Sequence, residues 1–113
     1  MSEKIPSIGT LTDRVQLRRR ESLGDGSGGH DHIFVPVTNL WARVRGHAGR
    51  QASNADGRVV ALSHTVVLRF RSDVSPGDRI VYRGRSLDVL SVTDLNGRRA
   101  YLSCGCSETS FTG

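Results

Sequence analysis

The side chains best suited to binding a metal are two histidines and an aspartate that lie side by side. His30 and His32 flank Asp31, and imidazole and carboxylate groups are ordinary zinc ligands. These residues lie in a glycine-rich stretch, and no further ligand follows at a suitable spacing. The sequence therefore predicts no metal site and no cofactor.

The two cysteines offer thiol chemistry, but their spacing limits it. Cys104 and Cys106 are separated by one residue, so on a regular strand both side chains point to the same face. A disulfide between them would close a small, strained ring, and two thiols are too few for a structural zinc site. We therefore predict that both are reduced structural thiols.

Catalytic motifs are absent from the sequence. Serine, histidine and aspartate all occur, but in no spacing typical of a nucleophile with its general base. The chain has no glycine-rich loop before a helix, no Walker motif and no CxxC pair. No set of residues in the sequence therefore supports a hydrolase, and we predict that the protein is not an enzyme.

The charged residues are compatible with anionic partners. The sequence has 16 Lys and Arg against 11 Asp and Glu, which gives a net charge of +5, and nearly all of the cations are arginines. Guanidinium groups suit phosphate and carboxylate partners. The charges are not gathered into one run, so a solvated surface of mixed sign explains them equally well.

Length and hydropathy favour one cytoplasmic domain. A chain of 113 residues suits a single domain with a modest core. No apolar segment is long enough to cross a membrane, and Met1–Thr10 does not have the pattern of a signal peptide. We therefore predict no membrane partner and a cytoplasmic location, with export only inside a larger particle.

Alternating apolar residues predict short β-strands. Val66, Leu68 and Phe70 occupy every second position, which is the period of a half-buried strand. Asn96-Gly97 is a strong hairpin signal. Similar patterns predict further strands at Leu11–Arg20, Ile33–Arg45, Arg79–Tyr82, Ser86–Thr93 and Arg98–Cys104. We predict an all-β fold, a small antiparallel β-barrel whose strands from Val66 onward form a meander.

Two polar stretches interrupt these strands and predict two long flexible loops. Residues 21–31 are glycine-rich, and residues 46–58 are small, polar and without an apolar stripe. The predicted organisation is an N-terminal arm over residues 1–10, a barrel domain over residues 11–104, and a C-terminal tail over residues 105–113.

The order of these blocks resembles a known family. The blocks are DRVQLR at 13–18, LWARVR at 40–45, HTVVLRFR at 64–71, DRIVYRGR at 78–85 and LDV at 87–89. Together they resemble the head–tail joining proteins of tailed bacteriophages, also called head-completion or stopper proteins. Prophages and phage-derived gene transfer agents carry the same component.

The resemblance implies a structural role in a virion or phage-like particle, at the head–tail junction, after assembly in the bacterial cytoplasm. The chain would form a homo-oligomeric ring, a hexamer or a dodecamer, beneath the portal. Its neighbours would be the portal or an adaptor protein on the head side and a tail terminator or tail tube protein on the tail side. The ring would extend the channel for packaged double-stranded DNA, help to retain that DNA and offer the tail a docking surface.

The resemblance also implies which residues carry this role. In relatives the loop between the second and third strands projects into the channel. The corresponding channel or gating residues here are Arg50, Gln51, Ser53, Asn54 and Arg58. This loop is rich in Gly, Ala and Ser and lacks the bulky side chains that would close the channel tightly. The candidate partner contacts are Arg18, Arg19, Arg20, Trp41, Arg43, Arg45 and Phe111.

A second hypothesis is a small-barrel nucleic-acid-binding module. It would need several exposed aromatic side chains on one face to stack on bases. Trp41, Tyr82 and Tyr101 do not obviously share a face, so this reading ranks below the head–tail connector.

Overall fold

The computed structural model describes residues 11–24, 30–53 and 59–109, which fold into one antiparallel sheet that closes on itself. Its strands are β1 (Asp13–Gly24), β2 (His30–Ser53), β3 (Val59–Arg69), β4 (Arg79–Tyr82), β5 (Arg85–Asp94) and β6 (Tyr101–Thr109). Around the barrel the order is β1-β2-β3-β6-β5-β4, and β4 pairs with β1 to close it. The predicted small antiparallel β-barrel is confirmed. Among the described residues, no helix is long and apolar enough to span a membrane.

The strand neighbours differ from the predicted meander. β4, β5 and β6 are consecutive neighbours, but β3 pairs with β6 and not with β4. Residues 70–78, between β3 and β4, are longer than a tight hairpin connection. They lead the chain to the far side of the sheet, where Ile80 lies opposite Leu17 of β1. This crossing closes the barrel, and a local turn signal does not reveal it.

The crossing is held in place by a buried carboxylate. Asp78 is only 6% exposed, and its Oδ2 accepts a hydrogen bond from the backbone N–H of Ser75 at 3.0 Å. Its Oδ1 accepts one from the backbone N–H of Arg20 at 3.3 Å. One aspartate therefore satisfies donors from the turn and from β1, so it fixes the turn against the barrel wall.

The core lies inside the barrel and follows the predicted alternation. Every strand contributes inward-facing side chains, which pack to near-complete burial. The buried cluster comprises Val15, Leu17, Ala42, Val66, Leu68, Val74, Ile80, Leu87, Val89, Leu102, Cys104 and Cys106. A smaller buried cluster consists of Leu11, Leu95 and Tyr101, against which Val67 packs.

The strand β2 is longer than its neighbours and extends past the barrel at both ends. Within the described residues, β1 pairs with β4 only from Gln16 to Arg18, so residues 19–24 and 30–35 form a two-stranded ribbon, here called the first arm. β3 pairs with β6 only as far as His64. Residues 50–53 and 59–62 therefore form a second ribbon, here called the second arm.

Both polar loops are shorter than predicted. Residues 21–24 and 30–31 belong to the first arm, and residues 46–53 belong to β2. The composition gave no apolar stripe, but backbone hydrogen bonds pair two strands of a ribbon without one. Residues 25–29 and 54–58 lie outside the described residues. β6 continues to Thr109, past the boundary predicted at residue 104.

Irregularities in pairing mark the points where β2 leaves the barrel. The register between β1 and β2 shifts between Leu17 and Arg18, opposite Pro36, because proline has no N–H for the ladder. A second shift lies between Gly46 and Arg50, opposite His64 and Leu62. Such bulges bend a strand and increase its twist, so each arm begins at a bend.

Candidate functional site

Trp41 is the most exposed large apolar side chain in the part of the chain that the structure describes. It lies on the outer face of β2 and is 55% exposed. Arg14 is its partner in the register with β1, and the guanidinium carbon of Arg14 lies 4.9 Å from the centre of the indole ring. This cation–π contact holds the ring in place while leaving it exposed. A preordered exposed tryptophan beside an arginine is typical of the centre of a protein interface.

A groove lies beside Trp41 and is here called the Trp41 groove. The residues just before β1, the middle of β2 and the end of β3 with the two residues after it come together there. Its lining is formed by Leu11, Thr12, Asn39, Leu40, Trp41, Arg69, Phe70 and Arg71. Leu40 and Phe70 also pack against the barrel core, so the apolar part of the groove rests on the most rigid part of the fold.

The charge of the groove is positive. The described residues that line it include no Asp or Glu. Arg71 donates two hydrogen bonds of 2.8 Å to the carboxylate of Asp73, and these bonds lower the pKa of Asp73 and raise that of Arg71. Arg14 and Arg69 have no acidic partner among the described residues.

The three consecutive arginines of β1, Arg18, Arg19 and Arg20, each contact other residues of the chain. Arg18 donates to Oε1 of Gln16 at 2.7 Å, and Arg19 lies 3.9 Å from Asp73. The guanidinium group of Arg20 covers Gly77, where an added Cβ would approach its Cζ to 2.9 Å. These predicted contact residues therefore help to fix the first arm and the crossing.

The remaining predicted residues divide between the barrel wall and the second arm. Arg43 and Arg45 follow Trp41 at alternate positions of β2, and neither has an acidic partner among the described residues. Three of the predicted channel residues lie in the second arm and pair with β3, namely Arg50, Gln51 and Ser53. Asn54, Arg58 and Phe111 lie outside the described residues.

The root of the second arm contains polar contacts that the sequence did not reveal. The Oγ of Ser63 accepts a hydrogen bond from the backbone N–H of Glu108 at 2.6 Å and lies 3.3 Å from the carbonyl of Cys106. Nδ1 of His64 is 2.8 Å from the same hydroxyl. The Ser63 hydroxyl thus takes the place of a backbone carbonyl as the acceptor of the Glu108 N–H, at the point where β3 leaves β6.

The two cysteines are core residues. Both are free, point to the same interior face as predicted, and have no measurable exposure. Burial raises the pKa of Cys104 to about 12 and also raises the pKa of Cys106, so both remain protonated at neutral pH. In the part of the chain that the structure describes, no three His, Cys, Asp or Glu side chains are grouped to hold a metal.

The aromatic side chains are too dispersed to form a base-stacking surface. Phe34 is covered by the guanidinium group of Arg79, 3.7 Å from its ring centre. Phe70 and Tyr82 pack against the core and Tyr101 is buried. Of the described aromatic rings, only Trp41 is exposed. This arrangement does not favour the nucleic-acid-binding module.

The comparisons with known proteins identify the family. A family model described as phage head completion protein matches residues 6–109. The chain belongs to the phage head completion protein family. This membership gives it a structural role associated with phage heads, as a component of a phage or phage-like particle, and it confirms the resemblance found in the sequence.

Solved structures show the same fold. Protein SF1141 from Shigella flexneri 2a has a TM-score of 0.68 and 22% identity, and the match covers 95% of this chain and 100% of that one. A chain from the virion of a native gene transfer agent particle has a TM-score of 0.61 and 26% identity, with 85% and 93% covered. No curated protein matches the chain.

Proposed function

We propose that this head completion protein is a ring subunit at the head–tail junction, between the portal or an adaptor protein and the tail. The ring extends the channel for packaged double-stranded DNA, helps to retain the DNA and provides a docking surface for the tail terminator or tail tube protein. The observation that carries the proposal is the pair of arms that extend β2 beyond both ends of a closed barrel.

The closed barrel leaves few places for contacts between subunits. Closure removes the free strand edges of an open sheet, so the barrel wall itself has no unpaired ladder. Within the described ranges, each arm has edges without a strand partner, because β1 leaves β4 after Arg18 and β3 leaves β6 before His64. Contacts with neighbours would therefore concentrate on the two arms and on the outer face around Trp41.

The arms leave opposite ends of one strand, which suits a subunit that bridges two partners. Since β2 runs through both ribbons, the first arm and the second arm are joined by a continuous backbone of 24 residues. A load on one arm is transmitted to the other through the barrel wall. This is the mechanical requirement for a ring held between a head and a tail.

Positive charge on and beside the second arm supports a position near DNA. Arg45 is exposed on β2 shortly before the second arm begins, and Arg50 opens the arm. Arginine charge next to phosphates releases counterions and favours binding without sequence preference. Retention of the DNA would then depend on the positive charge and on the presence of the second arm, because the sequence of residues 46–58 has no bulky side chains that could plug the channel.

The test uses matched truncations of the arms. Arg50 lies directly opposite Leu62, so replacing residues 51–61 with Asn-Gly closes the second arm with a two-residue turn. Glu21 lies opposite Ile33, so replacing residues 22–32 with Asn-Gly is the matched change in the first arm. Both variants should fold, since neither change removes a core residue.

The two truncations should have different effects in particles that contain the variant chain. The second-arm variant should join the heads but lower the DNA content per particle, measured by quantitative nucleic-acid assay after nuclease treatment. The first-arm variant should reduce incorporation or tail attachment, seen by electron microscopy of purified particles. Normal DNA content and tail attachment with both arms truncated would contradict the proposal, as would absence of a ring at the head–tail vertex.

A further inference from the structure

We propose that the Trp41 groove binds an acidic peptide segment of a neighbouring virion protein, anchored by a large apolar side chain. The inference deepens the proposed docking role and rests on it for the class of partner. It concerns a surface separate from both arms, and the purified chain alone is enough to test it.

The shape and lining of the groove favour an apolar anchor. Leu11, Leu40 and Phe70 form its apolar lining and Trp41 its exposed wall. Leu11 is buried and Phe70 is half-buried, so little of the lining has to reorganise when a ligand enters. A leucine or aromatic side chain inserted there would shield the indole ring from water, and such burial is a main source of affinity at interface centres.

The charge of the rim favours a carboxylate-bearing ligand. Arg14 is fixed against the indole ring at 4.9 Å, and Arg69 follows Leu68, which lies opposite Ala42. The two guanidinium groups thus come from the strands on either side of Trp41. Because none of the described lining residues is a carboxylate, an Asp or Glu side chain of the partner would supply a counter-charge and could accept two parallel hydrogen bonds from either arginine.

Polar side chains on the same rim suit a peptide backbone. Thr12 and Asn39 line the groove and both are exposed. A hydroxyl and a carboxamide together offer donors and acceptors, which can pair with the N–H and C=O groups of an extended segment. A nucleic acid would instead need several exposed aromatic rings, and among the described residues that line the groove only Trp41 is an exposed ring, while Phe70 is half-buried beside Leu11 and Leu40.

The first step of the test is selection from a library of random 12-residue peptides displayed against the immobilised chain. The enriched sequences should contain at least one large apolar or aromatic residue flanked by Asp or Glu. Enrichment of basic sequences, or of none, would overturn the proposal. The best peptide is then synthesised and titrated against the chain while tryptophan emission is recorded. Trp41 is the single tryptophan, so its emission reports on this groove.

Variants then separate the groove from the rest of the surface. Trp41→Leu and Arg69→Glu should each weaken binding of the selected peptide by about 10-fold or more, which corresponds to about 1.4 kcal/mol. Arg14→Glu should do the same. Arg45→Glu is the matched control, because it reverses an exposed charge on β2 outside the groove lining, and it should change affinity less than about twofold. For Trp41→Leu, fluorescence anisotropy of a labelled peptide replaces tryptophan emission.

Three results would overturn the inference. The first is an equal loss of affinity in Arg45→Glu, which would indicate a general charge effect. The second is unchanged affinity in Trp41→Leu and Arg69→Glu. The third is a (dT)12 oligonucleotide that binds the same groove more tightly than the selected peptide. Circular dichroism of each variant checks that the barrel is folded, and ring assembly is scored separately in particles, so the two proposals fail independently.

Discussion

The hydroxyl of Ser63 accepts a hydrogen bond from the backbone N–H of Glu108 at 2.6 Å, at the point where β3 leaves the barrel and enters the second arm. A backbone carbonyl would normally accept this N–H in a continuous ladder. The side chain therefore lets β3 diverge without leaving a half-buried donor unpaired. The position of this one hydroxyl defines the root of the second arm.

Replacement of Ser63 by Ala should loosen that root. The change removes the acceptor for the Glu108 N–H, and an unsatisfied donor in a partly buried site costs about 1–3 kcal/mol. We expect a lower free energy of unfolding in urea and faster hydrogen exchange at the amide of Glu108. Ser86→Ala is the control, since Ser86 is equally half-buried and lies on β5. Equal effects of both changes would refute the assigned role of Ser63.

Asp78 should contribute more to stability than other aspartates that bond to the backbone. Asp78→Ala leaves the N–H groups of Ser75 and Arg20 without their acceptors, so the free energy of unfolding should fall by about 2–4 kcal/mol. Asp78→Asn keeps one acceptor oxygen and should lose roughly half as much.

The matched control for Asp78 is Asp94. Its carboxylate also accepts a backbone N–H, that of Arg99 at 3.0 Å, but in an exposed turn. Water can replace a bond in that position, so Asp94→Ala should cost less than about 1 kcal/mol. Urea denaturation of both variants measures the difference, and a similar loss at the two positions would show that burial of Asp78 is not the cause.

The sequence predicted the strands whose apolar residues alternate. Val66 and Leu68, and Leu87 and Val89, are buried on the inner face as expected. The pairing of β3 with β6 could not be predicted, because Val66 meets Cys104 through closure of the whole barrel and not through a neighbouring turn. Non-local pairing of this kind leaves no local signal.

The arms and the groove were predicted least well, for two different physical reasons. Gly46 and residues 50–53 pair with β3 through their backbone, which the side-chain pattern does not record. The groove depends on three separate strands, so Trp41 could be predicted as a candidate contact residue while its position beside Arg14 and Arg69 could not be predicted. Phe70 was predicted to alternate with Val66 and Leu68 along a half-buried strand, and its place in the lining of the groove appears only in three dimensions.

The buried thiols should make the folded state less stable at high pH. The ordinary pKa of 9.0 is raised to about 12 at Cys104 by burial, so the unfolded chain loses this proton first. The contribution of the neutral Cys104 thiol to the stability of the folded state is therefore fully present below pH 9.0. It is lost progressively as the pH rises toward 12. Within this range the free energy of unfolding should fall by about 1.4 kcal/mol per pH unit for each such thiol.

A double variant isolates the contribution of the thiols to this pH dependence. Cys104→Ala with Cys106→Ala removes both groups, so its unfolding free energy should decline less steeply than that of the wild type between pH 9.0 and 10.5. Guanidinium denaturation at several pH values measures both slopes, and tyrosine ionisation contributes to them alike. Parallel slopes would show that neither thiol is perturbed as burial implies.

Gly105 should resist even a small side chain because two neighbours occupy the space above it. A Cβ at this position would lie 2.8 Å from Oγ of Ser91 and 3.1 Å from Cδ1 of Leu62. Ser91 can rotate its hydroxyl away, whereas Cδ1 of Leu62, in the second arm, must give way by a few tenths of an ångström. Gly105→Ala should therefore lower the free energy of unfolding by about 1–3 kcal/mol.

Ser91→Ala alone should have little effect, since Ser91 is exposed. The two changes together should lose less than the sum of the single losses, with a coupling of about 0.5–1 kcal/mol for residues in contact. Urea denaturation of all four chains gives this coupling, and strict additivity would mean that Leu62 alone limits the position.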